Sequence, residues 1–164
     1  MDHLITAEDI TERTVAQPNS DKHKLTLAIP VAEGGRLRPV LGAGLYAELI
    51  LGIQIQPMAE ENLAKLATCE PLMNMLSNWA LYEAWPTLLV HVTEAGVVVK
   101  NGKEVSTSAD AATADKTRLA IADTAEFWTG ELRAWLYEHR AEYPSYVPPT
   151  CAAVSSMPLG GVQF

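Results

Sequence analysis

Apolar residues recur at helical spacing along most of the chain, and the interruptions mark where elements start and stop. Thr6-Ala7-Glu8-Asp9 has the hydroxyl-to-carboxylate spacing of a capping box and predicts a short helix to about Val15. Gln17-Pro18-Asn19-Ser20 stops it. A second helical stretch starts near Asp21, with Leu25, Leu27 and Ile29 available for burial. Pro30 cannot donate a backbone hydrogen bond, so it must kink that stretch or mark a first turn. Leu41-Gly42-Ala43-Gly44 predicts a glycine turn, followed by a short amphipathic helix in which Leu45 and Leu49 stand four apart, bounded by Gly52 and Pro57. Glu60 to Thr68 predicts another helix, with Leu63 and Leu66 as its apolar pair.

The most apolar helix comes next. Pro71 suits its first turn, and Leu72, Met75, Leu76, Trp79, Ala80 and Tyr82 recur at spacings of three and four. Only Asn74, Ser77 and Asn78 form a polar strip, so the helix belongs near the middle of a bundle with that strip wet. Pro86 is expected to end or bend it. Leu88–Val92 and Gly96–Lys100 are rich in β-branched residues, and Asn101-Gly102 is a strong tight-turn signal, so a small β-hairpin is expected near 88–104. From about Asp110 to Glu142 there is no proline and one glycine, Gly130. Ile121, Ala125, Trp128, Leu132, Trp135 and His139 recur there at 4, 3, 4, 3, 4, a seam along one long helix on the order of 45 Å. The fold class expected is mainly α: a helical bundle with one long C-terminal helix, a small β-hairpin and an extended C-terminal arm. The helical domain takes 1–142 and the arm 143–164.

Composition narrows the function classes. The 164 residues are 48% hydrophobic and 20% charged, which suits one folded domain and excludes a wholly disordered chain. A net charge of −8 argues against broad adhesion to nucleic acid or anionic membranes, and leaves open a negatively charged wall past which DNA slides. Met1-Asp2-His3-Leu4 shows no basic start to a signal peptide, and Pro86, His91 and Glu94 interrupt the longest apolar stretches, so neither leader nor membrane span is expected. The final 22 residues contain no Asp, Glu, Lys, Arg or His, and hold Pro144, Pro148, Pro149 and Pro158. An apolar, proline-stiffened tail reads as an arm laid on a surface, its own or a neighbour's.

Residues with chemical potential are scattered. His3, His23, His91 and His139 fall in four different elements, and none has metal-ligand spacing to another His or Cys. Cys69 and Cys151 form no CxxC pair and read as small buried hydrophobes. Gly34-Gly35 and Gly42-Ala43-Gly44 lack a phosphate-loop pattern. The macrodipole alone accounts for Glu60-Glu61 at a helix start. Arg36-Leu37-Arg38 is the only close pair of arginines and Lys22/Lys24 the only close pair of lysines, and they form no nucleic-acid stripe. Trp79, Trp128 and Trp135 stand beside apolar neighbours on helix faces, where packing is the default. No catalysis, metal or organic cofactor is expected. Two features point to association: the uncharged arm, and Val97-Val98-Val99, which places apolar side chains on both faces of any ribbon.

Four strings in order carry a family resemblance. They are Leu41-Gly42-Ala43-Gly44-Leu45-Tyr46-Ala47-Glu48-Leu49, a central helix ending Trp79-Ala80-Leu81-Tyr82-Glu83-Ala84, the run Val92–Val99, and a long helix followed by Tyr143-Pro144-Ser145-Tyr146. This order resembles the head–tail connector (neck adaptor) proteins of tailed bacteriophages over roughly residues 40–146, with residues 1–39 matching only loosely. The resemblance implies a small helical subunit that forms a homo-oligomeric ring, usually of twelve copies, beneath the portal protein. Such a ring extends the channel through which genomic DNA passes without sequence-specific binding, and presents a docking surface for a downstream neck or tail protein. It places the chain in the virion neck, and in the host cytoplasm during assembly, with no membrane partner. Terminal segments commonly make the portal contact in that family, so Pro158, Leu159, Val162 and Phe164 join Val97, Val98 and Val99 as candidate subunit or portal interface residues. A neck stopper or tail-terminator ring is the alternative within the class; a small intracellular enzyme or a regulatory binding module is the alternative outside it.

Overall fold

The structure is a computed structural model that describes residues 3–55, 60–93, 96–99 and 111–148. Helix α1 (Ala7–Arg13) begins where the capping box predicts: the Thr6 N–H donates to Asp9 Oδ2 at 2.7 Å, and the Asp9 N–H to Thr6 Oγ1 at 3.2 Å. Asp21 caps α2 (Lys22–Ala32) by accepting from the N–H groups of His23 and Lys24. This helix runs through Pro30 and widens into a π-helical turn, Glu33–Leu37. Leu25 and Ile29, four apart, are buried, whereas Leu27 is 61% exposed. A period of two cannot keep all three positions on one helical face.

Helix α3 (Arg38–Gln54) contains the predicted glycine turn as a break in its first half, where Gly42 adopts φ 78°. Any L residue is strained there. Leu41, Leu45, Leu49 and Ile53 then follow one another at four-residue intervals into the core. Helix α4 (Glu61–Thr68) buries Leu63 and Leu66, as their spacing predicts.

Helix α5 (Glu70–Leu88) is the centre of the molecule. Every residue from Asn74 to Leu81 is buried, because α1, α2, α4 and α6 (Ala111–Glu138) all pack on it. The polar strip expected to be wet is therefore covered. Asn78 Nδ2 donates to the Asn74 carbonyl at 2.8 Å, and Arg13 reaches across from α1 to Asn74 Oδ1 at 3.1 Å. Such pairing removes most of the cost of burying amides. Helices α5 and α6 run antiparallel: Trp85 Nε1 donates to the Ala114 carbonyl, and Trp79, further back along α5, donates to Thr129 Oγ1, further on along α6.

The expected fold class needs one correction: among the described residues the chain is a helical bundle with no β layer, and the small β-hairpin expected near 88–104 is not a component of that fold. Helix α5 passes Pro86 and takes Leu88 into its last turn. Only the backbone of Val90–Thr93 and Gly96–Val99 is extended, eight residues lying antiparallel with Val90 opposite Val99. They pair with nothing else among the described residues, and the first of them lies against α5 where it leaves that helix. Two segments of four residues have no third strand to build on among the described residues, and β-branched composition alone cannot make a layer of them. The Asn101-Gly102 turn lies outside the described residues.

The long helix also departs in detail from its predicted seam. Ile121, Ala125, Thr129, Leu132 and Leu136 are buried, while Trp128, Trp135 and His139 are half-buried at the edge. A straight helix has 3.6 residues per turn, so a strict 4, 3 alternation drifts off the buried face within two or three turns.

Candidate interaction surface

Helices α2 and α6 each pack on α5 rather than on one another. Their outer faces consequently point away from a common centre, and both carry large apolar side chains. On α6, Leu119, Phe127 and Tyr137 are exposed, Phe127 at 59%. Gly130 and Ala134 lie between them on the face opposite Ala125 and Leu132, and a Cβ built on Gly130 meets nothing within 4 Å. On α2, Leu27 and Val31 stand one turn apart beside a groove that Ala28, Ala84 and Thr87 also line. Helix α3 adds Leu51 and Ile55 at its end.

The strip between these faces is tied by arginine and aromatic contacts. Arg36, presented by the π-helical turn, lies 3.9 Å from the centre of the Trp79 ring and pairs with Glu83 at 3.2 Å. Arg118 from α6 lies over Tyr82 at 4.4 Å. Arg36 is thus a packing residue, where the sequence offers it as plain solvated surface. On the same turn the buried carboxylate of Glu33 holds the N-terminal segment, accepting from the Leu4 N–H at 2.8 Å and meeting His3 Nδ1 at 3.0 Å.

The predicted interface residues fall in two groups. Val97, Val98 and Val99 lie in the second extended segment, with Val97 opposite Val92 and Val98 opposite His91. Pro158, Leu159, Val162 and Phe164 lie outside the described residues, as does Cys151. Residues 143–148, the opening of the expected arm, fold back on the bundle. Tyr143 is buried and donates its hydroxyl to the Asn62 carbonyl at 3.0 Å; burial pushes that hydroxyl's pKa up to about 12. Ser145 donates to Glu48 Oε1, and its carbonyl passes 3.4 Å from where a Cβ on Gly44 would stand. The Gly42–Gly44 string, read in the sequence as a turn, also provides the track for this return.

Several other titratable residues have local partners. The Lys22 ammonium holds the Glu8 carboxyl below its ordinary range, and Lys65 does the same for Glu142. His139 stacks on Trp135 with ring centres 4.2 Å apart. Burial pushes the Cys69 thiol up, which keeps it protonated and a poor nucleophile at neutral pH. Among the described residues no group of three or more His, Cys, Asp or Glu is placed to hold a metal ion, and no helix is long and apolar enough to cross a membrane. Sequence spacing missed the outer face of α6, because the eye follows the buried seam. The signal was present in Leu119, Phe127 and Tyr137, which fit no position of that seam.

Comparison with known proteins adds one match. A family model described as a family of unknown function (DUF6712) matches residues 37–156, from the π-helical turn through the long helix and past the returning segment. No curated protein and no solved structure matches the chain.

Proposed function

The chain belongs to that DUF6712 family of unknown function, and on this premise we propose that it is a non-catalytic structural subunit, a ring-forming adaptor at the neck of a tailed phage virion. The observation that carries the reading is the exposed apolar surface on both α2 and α6, the two helices packed on a central helix that is buried from Asn74 to Leu81. Phe127, Leu119 and Tyr137 on α6 and Leu27 and Val31 on α2 are large apolar side chains available to a neighbouring polypeptide. A subunit that meets a neighbour on either side uses both faces. The connector resemblance supplies the setting: a ring under the portal, through which DNA passes. A net charge of −8 suits a channel that must repel phosphates rather than grip them. The uncharged stretch of 149–164 is the element proposed to reach the portal protein, with Pro158, Leu159, Val162 and Phe164 as its contact residues.

Sedimentation with purified portal rings tests this. The full chain is expected to travel with the rings in several copies per ring, and a chain lacking 157–164 to keep its helical circular dichroism while losing most of that attachment. Full attachment by the truncated chain would remove the arm from the proposal. Failure of the full chain to attach at all would remove the adaptor role.

A further inference from the structure

We infer that residues 142–148 are a strap that fixes where the following uncharged segment leaves the bundle, with Gly44 and Gly42 as the residues that position it. This deepens the adaptor reading, and rests on it only for what that segment then touches. Three observations carry the strap itself.

The first is anchorage. The strap is tied to two helices along its length. Lys65 on α4 pairs with the Glu142 carboxylate at 2.8 Å, and Asn62 Nδ2 donates to the Glu142 carbonyl at 3.4 Å. The buried Tyr143 returns a hydrogen bond from its hydroxyl to the Asn62 carbonyl at 3.0 Å. Ser145 Oγ then donates to Glu48 Oε1 on α3 at 2.5 Å.

The second is stiffness. The Tyr146 N–H donates to the Tyr143 carbonyl at 2.9 Å, which closes a turn with Pro144 at its second position. Proline is preset for that position, so the turn gives up little freedom when it docks. Tyr146 packs half-buried against the core just beyond the turn.

The third is the pair of glycines beneath. Gly44 lies inside α3, where glycine is a poor helix former. The Ser145 carbonyl passes 3.4 Å from where a Cβ on Gly44 would stand, and the Ser145 Cβ lies 3.6 Å from it. Two residues earlier the Val147 carbonyl passes 3.5 Å from the Cβ position of Gly42, whose φ of 78° disfavours any side chain. Gly130 in α6 has no such neighbour within 4 Å. The strap thus runs backwards along α3, Ser145 at Gly44 and Val147 at Gly42, and brings the chain to the start of that helix. Seat and strap both fall within the family match over residues 37–156. With its base held, only the rest of the segment has to be ordered by a partner, which lowers the entropy lost on docking.

A cross-link tests the strap. In a full chain carrying Cys69→Ala and Cys151→Ser, the substitutions Gly44→Cys and Ser145→Cys set two Cβ atoms 3.6 Å apart, within disulfide reach. Oxidised glutathione should close that bond within one folded chain, as read by peptide mapping, and the bonded chain should attach to portal rings as the wild type does. Gly44→Leu puts a better helix former where the strap lies and should push the strap off. Its helical circular dichroism should stay, its Tyr146 amide should exchange about tenfold or more faster, and its portal attachment should fall severalfold. Gly130→Leu, the control, should leave Tyr146 exchange unchanged. Absence of the cross-link in the folded chain overturns the strap, as does a Gly44→Leu chain as protected as wild type. Wild-type attachment by a Gly44→Leu chain whose strap is released removes the positioning role. If Gly44→Leu does not fold, the cross-link alone decides. The two readings fail separately: a cross-link with no attachment by any chain keeps the strap and removes the adaptor role, and attachment without the cross-link does the reverse.

Discussion

Replacing Trp79 by alanine is expected to lower the free energy of unfolding by about 4 kcal/mol, within the range for a buried aromatic. Trp79 is 4% exposed on the central helix and holds three elements together. Its Nε1 donates to Thr129 Oγ1 on α6 at 3.1 Å, the Arg36 guanidinium lies over its ring, and the edge of Tyr82 meets it with ring centres 5.4 Å apart. Alanine at this position opens a cavity between α5 and α6 and removes the face on which Arg36 rests. Phenylalanine should cost less, about 1–2 kcal/mol, because it keeps a ring beneath Arg36 and loses the indole donor and some volume. Urea unfolding followed by circular dichroism measures both, and a domain of this size should show a Tm lowered by about 8–16 °C for the alanine variant. An alanine variant within about 1 kcal/mol of wild type would mean that Trp79 does not join α5 to α6.

The second large effect is at Leu76, fully buried in the middle of α5. Leu76→Ala should cost about 3 kcal/mol, the transfer of the lost methyl groups plus the cavity left behind. The same change at Leu27, exposed on α2, should stay within about 0.5 kcal/mol. The contrast is informative because the sequence treats both as apolar positions on helices. Similar losses at the two sites would contradict the arrangement in which α5 is wrapped and the outer side of α2 is open.

Much of the bundle was legible because its signals are local. The capping box at Thr6 and Asp9, the proline at the start of α5, and the leucines spaced four apart in α3 and three apart in α4 each act within one or two turns, and each defines its element. What was not legible depends on partners far along the chain. Asn74 and Asn78 look like a wet strip until Arg13, 61 residues away from Asn74, is brought onto it. Pro86 looks like a terminator, yet a proline in a final turn leaves the helix two more residues to run. The β-branched run after it has a real local preference for extended backbone, but a preference over eight residues does not make a layer without a third strand. The interaction surface was hardest to read. Exposure is the complement of burial, and the outer stripe of α6 emerged only once the buried face was placed about one residue away from the expected seam. Val97–Val99 and the C-terminal arm stood out in the sequence because their composition is unusual. Phe127 and Leu27 did not, since either fits a core equally well.

The distinction matters for how an adaptor subunit is assembled. Helix α5 is buried from Asn74 to Leu81, and both α2 and α6 pack on it, so the two helices share one support. Packing on a common support lowers the conformational entropy lost on association and lets modest apolar patches suffice.

Electron cryo-microscopy of portal rings incubated with the full chain tests the central claim most directly. The account predicts an added ring of subunits side by side beneath the portal. Portal rings that emerge bare from saturating amounts of a correctly folded chain would contradict it.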